Sequence, residues 1–242
     1  MGLQGSTKYD LDIVFCIDVT GSMGPIMDEV KSKALGLHQL IVERFERENK
    51  PIDHVRVKVI EFSDYATEGG AAIKESDFLN LPDDADTFSA IISSIDVGSR
   101  GGDDPENGLE AVYKAFMSDW APLESGKKNR QIIVVFSDAY PMNFQERSGC
   151  ADYEDGDYPE SFTDLQEMWG EGKSAQGGVC RTKMVYNNHR LVLFVPNGSD
   201  EAGHTWDGLA AFESTTKYPV NPADGLEGID LSVIIDEIFK SC

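Results

Sequence analysis

The chain has 242 residues, 40% of them hydrophobic, which is enough for one sizeable α/β domain but short for two. A formal net charge of −22 and an isoelectric point near 4.4 argue against binding to nucleic acid or to an anionic membrane, and favour cations and basic partners. No apolar run approaches the roughly 18 residues of a membrane span, and the polar start MGLQGSTKYD lacks the features of a signal peptide, so we expect a cytoplasmic protein.

The first predicted strand lies in the stretch IVFCIDVTGSMG, residues 13–24. Its apolar run ends in Asp18, and two hydroxyl residues, Thr20 and Ser22, follow at alternate positions. This pattern predicts a buried strand that delivers the three side chains to a turn at its carboxyl end, where open α/β sheets bind ligands. Oxygen donors without histidine or cysteine suit a hard cation such as Mg²⁺, Ca²⁺ or Mn²⁺. The alternative is that these residues only cap the following helix.

Helices and strands then alternate along the chain. Apolar residues at helical spacing predict a long amphipathic helix from Pro25 to about Asn49, and HVRVKVIEF predicts a strand over residues 54–62. A short strand near 71–73 follows a Gly-Gly turn and favours a hairpin at the sheet edge, and a further helix ends at about Ile95. The alternation predicts a doubly wound, mostly parallel sheet of six strands with one antiparallel edge strand and helices on both faces.

Two further acidic motifs follow in order. The loop GSRGGDDPE presents Asp103 and Asp104 ahead of a helix that Pro105 opens, and the apolar strand 132–136 ends in Ser137 and Asp138. Two buried strands that both end in aspartate, with an acidic glycine-rich loop between them, are hard to explain as coincident turn formers. Asp18 and Asp138 would repel each other across a shared sheet edge unless a cation offsets their charge.

These three motifs, in this order, resemble the metal-ion-dependent adhesion site of the von Willebrand factor A domain family. The resemblance covers the chain from about residue 10 to its carboxyl terminus, with one long insertion. It implies a divalent cation, Mg²⁺ or else Mn²⁺ or Ca²⁺, held by Asp18, Thr20, Ser22, Asp103 and Asp138. The two hydroxyls would bind it directly, Asp18 and Asp138 mostly through water, and Asp103 either way.

The resemblance also implies a function. In this family the metal site is left one ligand short, and a partner's carboxylate completes it, which suggests a protein-binding module with a scaffold or regulatory role, possessing no enzymatic activity. Asp103 stands where many adhesion domains have Thr, and its added charge would bind the ion more tightly while making it less electrophilic. Two alternatives stay open: a metal-dependent phosphoryl-transfer or hydrolytic enzyme, and an exported adhesin. Against an enzyme, the sequence has no Gly-Lys-Ser/Thr phosphate loop and no evident general base.

An acidic insertion at about residues 141–189 separates the fourth and fifth predicted strands of this single domain, residues 1–242. Residues 152–171 contain eight acidic residues, no Lys or Arg, and several aromatic residues. We expect a loop beside the metal that sets partner specificity, with one or two helical turns inside it. A Cys150–Cys180 disulfide stays open and would favour export. Beyond it we predict a strand at 190–195, a surface or packing role for His204 ahead of a helix to about Phe212, a short sixth strand and a closing helix at 229–240.

Overall fold

The computed structural model describes residues 7–97, 105–170, 184–185, 188–220, 231–232 and 235–236. Seven strands fall in this part of the chain: β1 Lys8–Asp18, β2 Ile52–Phe62, β3 Ile73–Glu75, β4 Leu79–Leu81, β5 Lys127–Phe136, β6 His189–Val195 and β7 Thr215–Pro219. The α-helices described are α1 Met27–Arg47, α2 Tyr65–Glu68, α3 Ala85–Ser94, α4 Gly108–Phe116, α5 Phe162–Gly170 and α6 Asp207–Ala210. Short 3-10 turns cover Gly21–Ile26, Gly69–Ala71 and Glu154–Gly156.

One mixed sheet joins all seven strands in the order β3-β2-β1-β5-β6-β7, with β4 also paired to β2. Strands β2, β1, β5, β6 and β7 run parallel, as the predicted doubly wound α/β fold requires. The predicted count of six strands is one too low. Both β3 and β4 pair antiparallel with β2, at 60–62 and at 55–57, and three-residue strands are too short to show an alternating pattern.

The sheet separates two apolar cores. Alternate β1 residues, among them Ile13, Phe15 and Ile17, face α1 and α3, whereas Val14 and Cys16 face α4 and the insertion. Cys16 is fully buried, as predicted, because it points into the second core. Strands β1 and β5 are covered on both faces and buried except at their first one or two residues, which is why their runs 13–17 and 132–136 are continuously apolar.

The insertion packs on this second core. Tyr153, Tyr158, Leu165 and Trp169 are buried there, while the acidic residues between them stay largely on the surface. The aromatic side chains that a solvated loop would expose therefore anchor the segment. Its helix α5 spans nine residues, which is longer than the one or two turns we expected.

Other boundaries also differ from the predictions. Helix α1 follows a 3-10 turn that contains Pro25, and α4 begins at Gly108 instead of Pro105. Helix α6 is a single short turn, not a helix to Phe212. Residues 231–232 and 235–236 are helical, in line with a closing helix, whose other residues lie outside the described part. Within the described residues, no helix combines the length and apolar character needed to cross a membrane.

Candidate metal centre

The first and last predicted metal-binding motifs meet at one edge of the sheet. Strands β1 and β5 are parallel neighbours in a register that pairs Ile17 with Phe136, so Asp18 and Ser137 leave the sheet side by side. We call this the carboxyl edge: the side of the sheet where β1, β2, β5 and β6 end, at residues 18, 62, 136 and 195. Parallel strands with connections that return to the other side bring such residues together even when they lie far apart in the chain.

A continuous chain of oxygen atoms links four of the predicted ligands. Asp18 Oδ1 accepts from the Thr20 hydroxyl at 2.6 Å, and Thr20 Oγ1 lies 3.1 Å from Ser22 Oγ. The Ser22 hydroxyl in turn donates to Asp138 Oδ1 at 2.9 Å. The structure therefore places Asp18, Thr20, Ser22 and Asp138 within direct reach of one another, across more than a hundred residues of sequence.

Asp18 is the deepest member of this group and is fully buried. Burial raises the pKa of its carboxyl to about 7, although hydrogen bonds from Ser137 and Thr20 lower it and the charge of Asp138 raises it again. Each described donor to Asp18 is a neutral group: the backbone N–H of Thr20 at 2.9 Å, its hydroxyl, and the Ser137 hydroxyl, which reaches Oδ2 at 2.7 Å. A bound cation would supply the compensating charge that these dipoles lack.

The group opens to solvent at one end. Ser22 is exposed, Asp138 is 9% exposed, and Asp18 and Thr20 are closed off beneath them. Carboxylate and hydroxyl oxygens that converge in this way, with no sulfur or imidazole among them, form a donor set that fits a hard divalent cation. The arrangement leaves one side of such a cation accessible from outside the protein.

The middle motif falls outside the described residues, since Asp103 and Asp104 precede the point where the description resumes at Pro105. From there the chain is held at the same edge. The Glu106 N–H donates to the Tyr140 carbonyl at 2.9 Å, and the Met142 N–H donates to the Glu106 carbonyl at 2.7 Å. These two bonds fix the residues before α4 against the segment that follows Asp138.

Sequence reasoning missed the role of Ser137, although it identified the residue. Its hydroxyl orients Asp18, and its position one residue before Asp138, at the end of a parallel neighbour of β1, was the available signal. Asp64, which ends β2 at this edge, is engaged elsewhere. It accepts from the Ala66 N–H as the N-cap of α2 and pairs with Arg147 of the insertion at 2.6 Å.

His204 lies near this edge but is not free to act as a base. Its Nδ1 is 2.7 Å from Asp200 Oδ2 and its Nε2 is 3.0 Å from Glu146 Oε1, and the residue is 9% exposed. Two carboxylates hold the ring between the insertion and the loop after β6. The histidine thus has a structural role inside the fold, not at its surface.

A second group of possible ligands lies at the opposite side of the sheet, which we call the amino edge. Asp10, Asp53 and His54 bring their ligand atoms within 4.8 Å of one another. Two ammonium groups already occupy this group: Lys8 Nζ is 2.6 Å from Asp53, and Lys127 Nζ is 2.9 Å from Asp53 and 3.2 Å from Asp10. The lysines neutralise both carboxylates, so the cluster is an ion-pair network that disfavours a further cation.

The chain is an open α/β domain with a group of oxygen ligands at the carboxyl ends of its strands, where domains of this class bind ligands. The sequence model of the von Willebrand factor type A domain matches residues 13–140, and the chain belongs to that family. Membership indicates a domain for protein–protein interaction or adhesion, of a kind that often binds a divalent metal. The matched residues end just after Asp138, so they include both aspartates of the centre.

Solved structures agree with the fold. One match is the crystal structure of the pilus adhesin SpaC from Lactobacillus rhamnosus GG, with a TM-score of 0.51, 14% identity, and coverage of 98% of this chain and 31% of that one. The open conformation of the same adhesin gives a TM-score of 0.48 and 15% identity over 98% of this chain and 30% of that one. The chain thus spans about a third of these proteins. The search of curated proteins found no match.

Proposed function

We propose that this domain is a metal-dependent protein-binding module whose cation, Mg²⁺ or else Mn²⁺ or Ca²⁺, is held by Asp18, Thr20, Ser22 and Asp138. The observation that carries the proposal is the chain of short oxygen contacts that joins these four side chains at the solvent-facing carboxyl edge. Asp103 of the family motif is the proposed fifth ligand, and its negative charge would favour the ion further.

The cation supplies an electrophilic coordination position that a carboxylate of a partner protein fills. The chain's own residues prepare that position: Ser137 and the Thr20 N–H hold the Asp18 carboxyl in place, so that its orientation is set before the ion binds. Ser22, the exposed member, stands where a partner would approach. A net charge of −22 supports a protein partner in preference to nucleic acid or an anionic membrane.

We further propose that the domain binds without catalysing a reaction and serves a scaffold or regulatory role. Three histidine side chains are described, and each is remote or engaged. His54 lies at the amino edge, His189 is buried against the ring of Trp169, and His204 is held by two carboxylates. None of these three lies in contact with the oxygen donors of the centre, so a general base for hydrolysis is not evident.

Calorimetric titration of Mg²⁺, Mn²⁺ and Ca²⁺ into metal-stripped protein tests the proposal. We expect saturable binding at one site, and loss of measurable binding in Asp18→Ala and Asp138→Ala, because each removes a carboxylate from the donor set. Asp53→Ala is the matched control, since it removes an aspartate from the amino edge and should leave the affinity unchanged. Pull-downs with Mg²⁺ or EDTA then test whether partner capture needs the metal.

Binding that persists unchanged in both carboxyl-edge variants would overturn the proposed site. Metal binding with partner capture that is equal in Mg²⁺ and in EDTA would retain the site but remove its proposed role in recognition.

A further inference from the structure

A groove of about 720 Å³ lies far from the metal centre, at the amino edge of the domain. It runs between the carboxyl-terminal half of α1, the first residues of β2, and the corner that joins β4 to α3. Strand β2, eleven residues long, begins in the groove and ends at the carboxyl edge. At about 3.3 Å per residue, the groove is therefore on the order of 30 Å from the metal centre.

The floor of this groove is apolar. Val42, Ile52 and Leu81 line it while only partly buried, and each packs against the first core on its inner side. Val55 lies beneath them and is buried. Apolar side chains that line a concave surface and keep contact with solvent provide a driving force for binding an apolar face of a partner.

The helical wall of the groove carries two glutamates that form no ion pair with any residue the structure describes. Glu43 and Glu46 both line it, and Val42 lies beside them on the same face of α1. No described residue forms an ion pair with either glutamate, whereas Asp53, at the mouth of the groove, is neutralised by Lys8 and Lys127. An apolar floor, with two carboxylates on its wall that no described residue pairs, is complementary to an apolar stripe flanked by Lys or Arg.

The outer edge of β4 restricts the secondary structure that a partner segment in the groove can adopt. In this strand the backbone N–H and carbonyl of Asn80 face away from β2, and both already form hydrogen bonds within the chain. Its N–H donates to Asp84 Oδ2 at 2.8 Å, and its carbonyl accepts from the Asp84 N–H at 2.7 Å. A partner strand therefore cannot extend the sheet at Asn80. Side chains projecting from a helix remain the means of filling the groove.

We propose that this groove binds a basic amphipathic helix of a partner protein, and that it does so without the metal. The helix would place apolar residues three and four positions apart on the Val42, Ile52 and Leu81 floor. Its Lys or Arg residues would lie beside Glu43 and Glu46. The domain then has two recognition surfaces at opposite edges, one that selects acidic groups through a cation and one that selects basic apolar segments directly.

The probe is a fluorescein-labelled synthetic peptide of about 18 Leu and Lys residues with Leu at helical spacing. Its anisotropy is measured with the full chain in 0.15 M NaCl and EDTA. A second peptide of the same composition alternates Leu and Lys, which removes the helical stripe but keeps the charge. We expect the helical peptide to bind at least about tenfold more tightly than the alternating one, because only it presents an apolar face to the groove.

Matched variants distinguish binding in the groove from nonspecific electrostatic attraction of a basic peptide to an acidic protein. Glu43→Gln with Glu46→Gln should weaken binding of the helical peptide by about tenfold, whereas Glu154→Gln with Asp155→Asn, at exposed sites on the insertion, should change it less than about twofold. Val42→Ser should also weaken binding. Leu123→Ser, at a residue 50% exposed elsewhere, should leave it unchanged.

Three results would overturn the proposal. Equal binding of the two peptides, or equal weakening by the two charge pairs, would show attraction by net charge alone. A dimer in sedimentation that Glu43→Gln with Glu46→Gln dissociates would show that a second copy of this chain occupies the groove. The EDTA in every measurement keeps the outcome independent of the metal centre.

Discussion

Carboxylates cluster at both edges of the sheet, but the groups that surround them differ in charge. At the amino edge, Asp53 is held by Lys8 and Lys127, and these hydrogen bonds lower the pKa of Asp53 to about 2. At the carboxyl edge, every donor to Asp18 among the described residues is neutral, and burial raises its pKa to about 7. One cluster is already neutralised by side chains of the protein, and the other lacks a described positive charge at its deepest member.

The difference shows that proximity of ligand atoms does not by itself define a metal site. At the amino edge, Asp10, Asp53 and His54 bring three ligand atoms of the kind that bind metals close together. The carboxyl edge relies on hydroxyl donors and on only two described carboxylates. The two ammonium groups at the amino edge make it the poorer candidate for a metal site, although its ligand atoms lie close together.

The largest effect that we expect concerns the pH dependence of metal affinity at Asp18. A carboxyl with a pKa of about 7 is roughly one-tenth ionised at pH 6 and nine-tenths ionised at pH 8, and the cation binds the ionised form. Mg²⁺ affinity measured by calorimetry should therefore rise about tenfold between these two values. Glu110→Gln is the control, because Glu110 is a second buried carboxyl with a pKa raised to about 7, mainly by its burial.

The same shift fixes the sign of the stability change. Between pH 4 and 7 the native metal-free protein holds a proton on Asp18 that the unfolded chain has released, so stability falls as pH rises through this window. A shift from 3.8 to about 7 corresponds to an effect on the order of 4 kcal/mol. Metal should restore more stability at pH 8 than at pH 6. A flat Mg²⁺ affinity over this range, or a slope that disappears in Glu110→Gln, would contradict this account.

A smaller effect is expected when the amino edge is made to resemble the carboxyl edge. Lys8→Met with Lys127→Met removes both ammonium groups and leaves Asp10 and Asp53 beside His54 with their charges uncompensated. The double variant should melt at a lower temperature than the parent and should gain Zn²⁺ binding that raises the melting temperature by a few degrees.

Lys8→Met alone provides the control for this experiment, since Lys127 still bridges Asp10 and Asp53 and should continue to exclude the ion. Differential scanning calorimetry with and without Zn²⁺ measures both effects. A double variant that stays indifferent to Zn²⁺ would show that geometry, not the lysines, disqualifies the amino edge.

The sequence predicts the structure correctly where the hydrophobic pattern is long. It fails where the pattern is short or where the structure depends on residues distant in the chain. The apolar runs that end in Asp18 and Asp138 predicted two parallel strands and the meeting of these residues, because parallel strands share an edge. The pairing of Asp10, Asp53 and two lysines was not predictable, since it depends on the register of three strands. The burial of the aromatic residues of the insertion was not predicted, because the acidic residues between them dominate its composition.

The smallest effect compares the two histidines that contact carboxylates. His54 contacts Asp10 at the amino edge, but its side chain is 65% exposed, so solvent screens the pair. Near the carboxyl edge, burial lowers the pKa of His204, but hydrogen bonds to Asp200 and Glu146 raise it more, and the net pKa lies above the ordinary value. Desolvation raises the pKa values of Glu146 and Asp200, but hydrogen bonds from His204, together with one from Asn143 to Glu146, bring both below their ordinary values.

The slope of stability against pH has the same sign for His204 as for Asp18, because folding raises both pKa values, but at His204 the shift favours the charged form of the side chain. A raised histidine pKa contributes stability below about pH 6.5, and this contribution is lost as the pH rises through the folded-state value. His204→Gln, which keeps a polar side chain without the charge, should therefore lower stability by about 1 kcal/mol or less at pH 6 and by less at pH 8, in urea unfolding. His54→Gln should change stability at neither pH. If His204→Gln and His54→Gln have the same effect, the contacts that His204 makes with Asp200 and Glu146 do not depend on its charge. Hydrogen bonds alone would then join the insertion to the loop after β6.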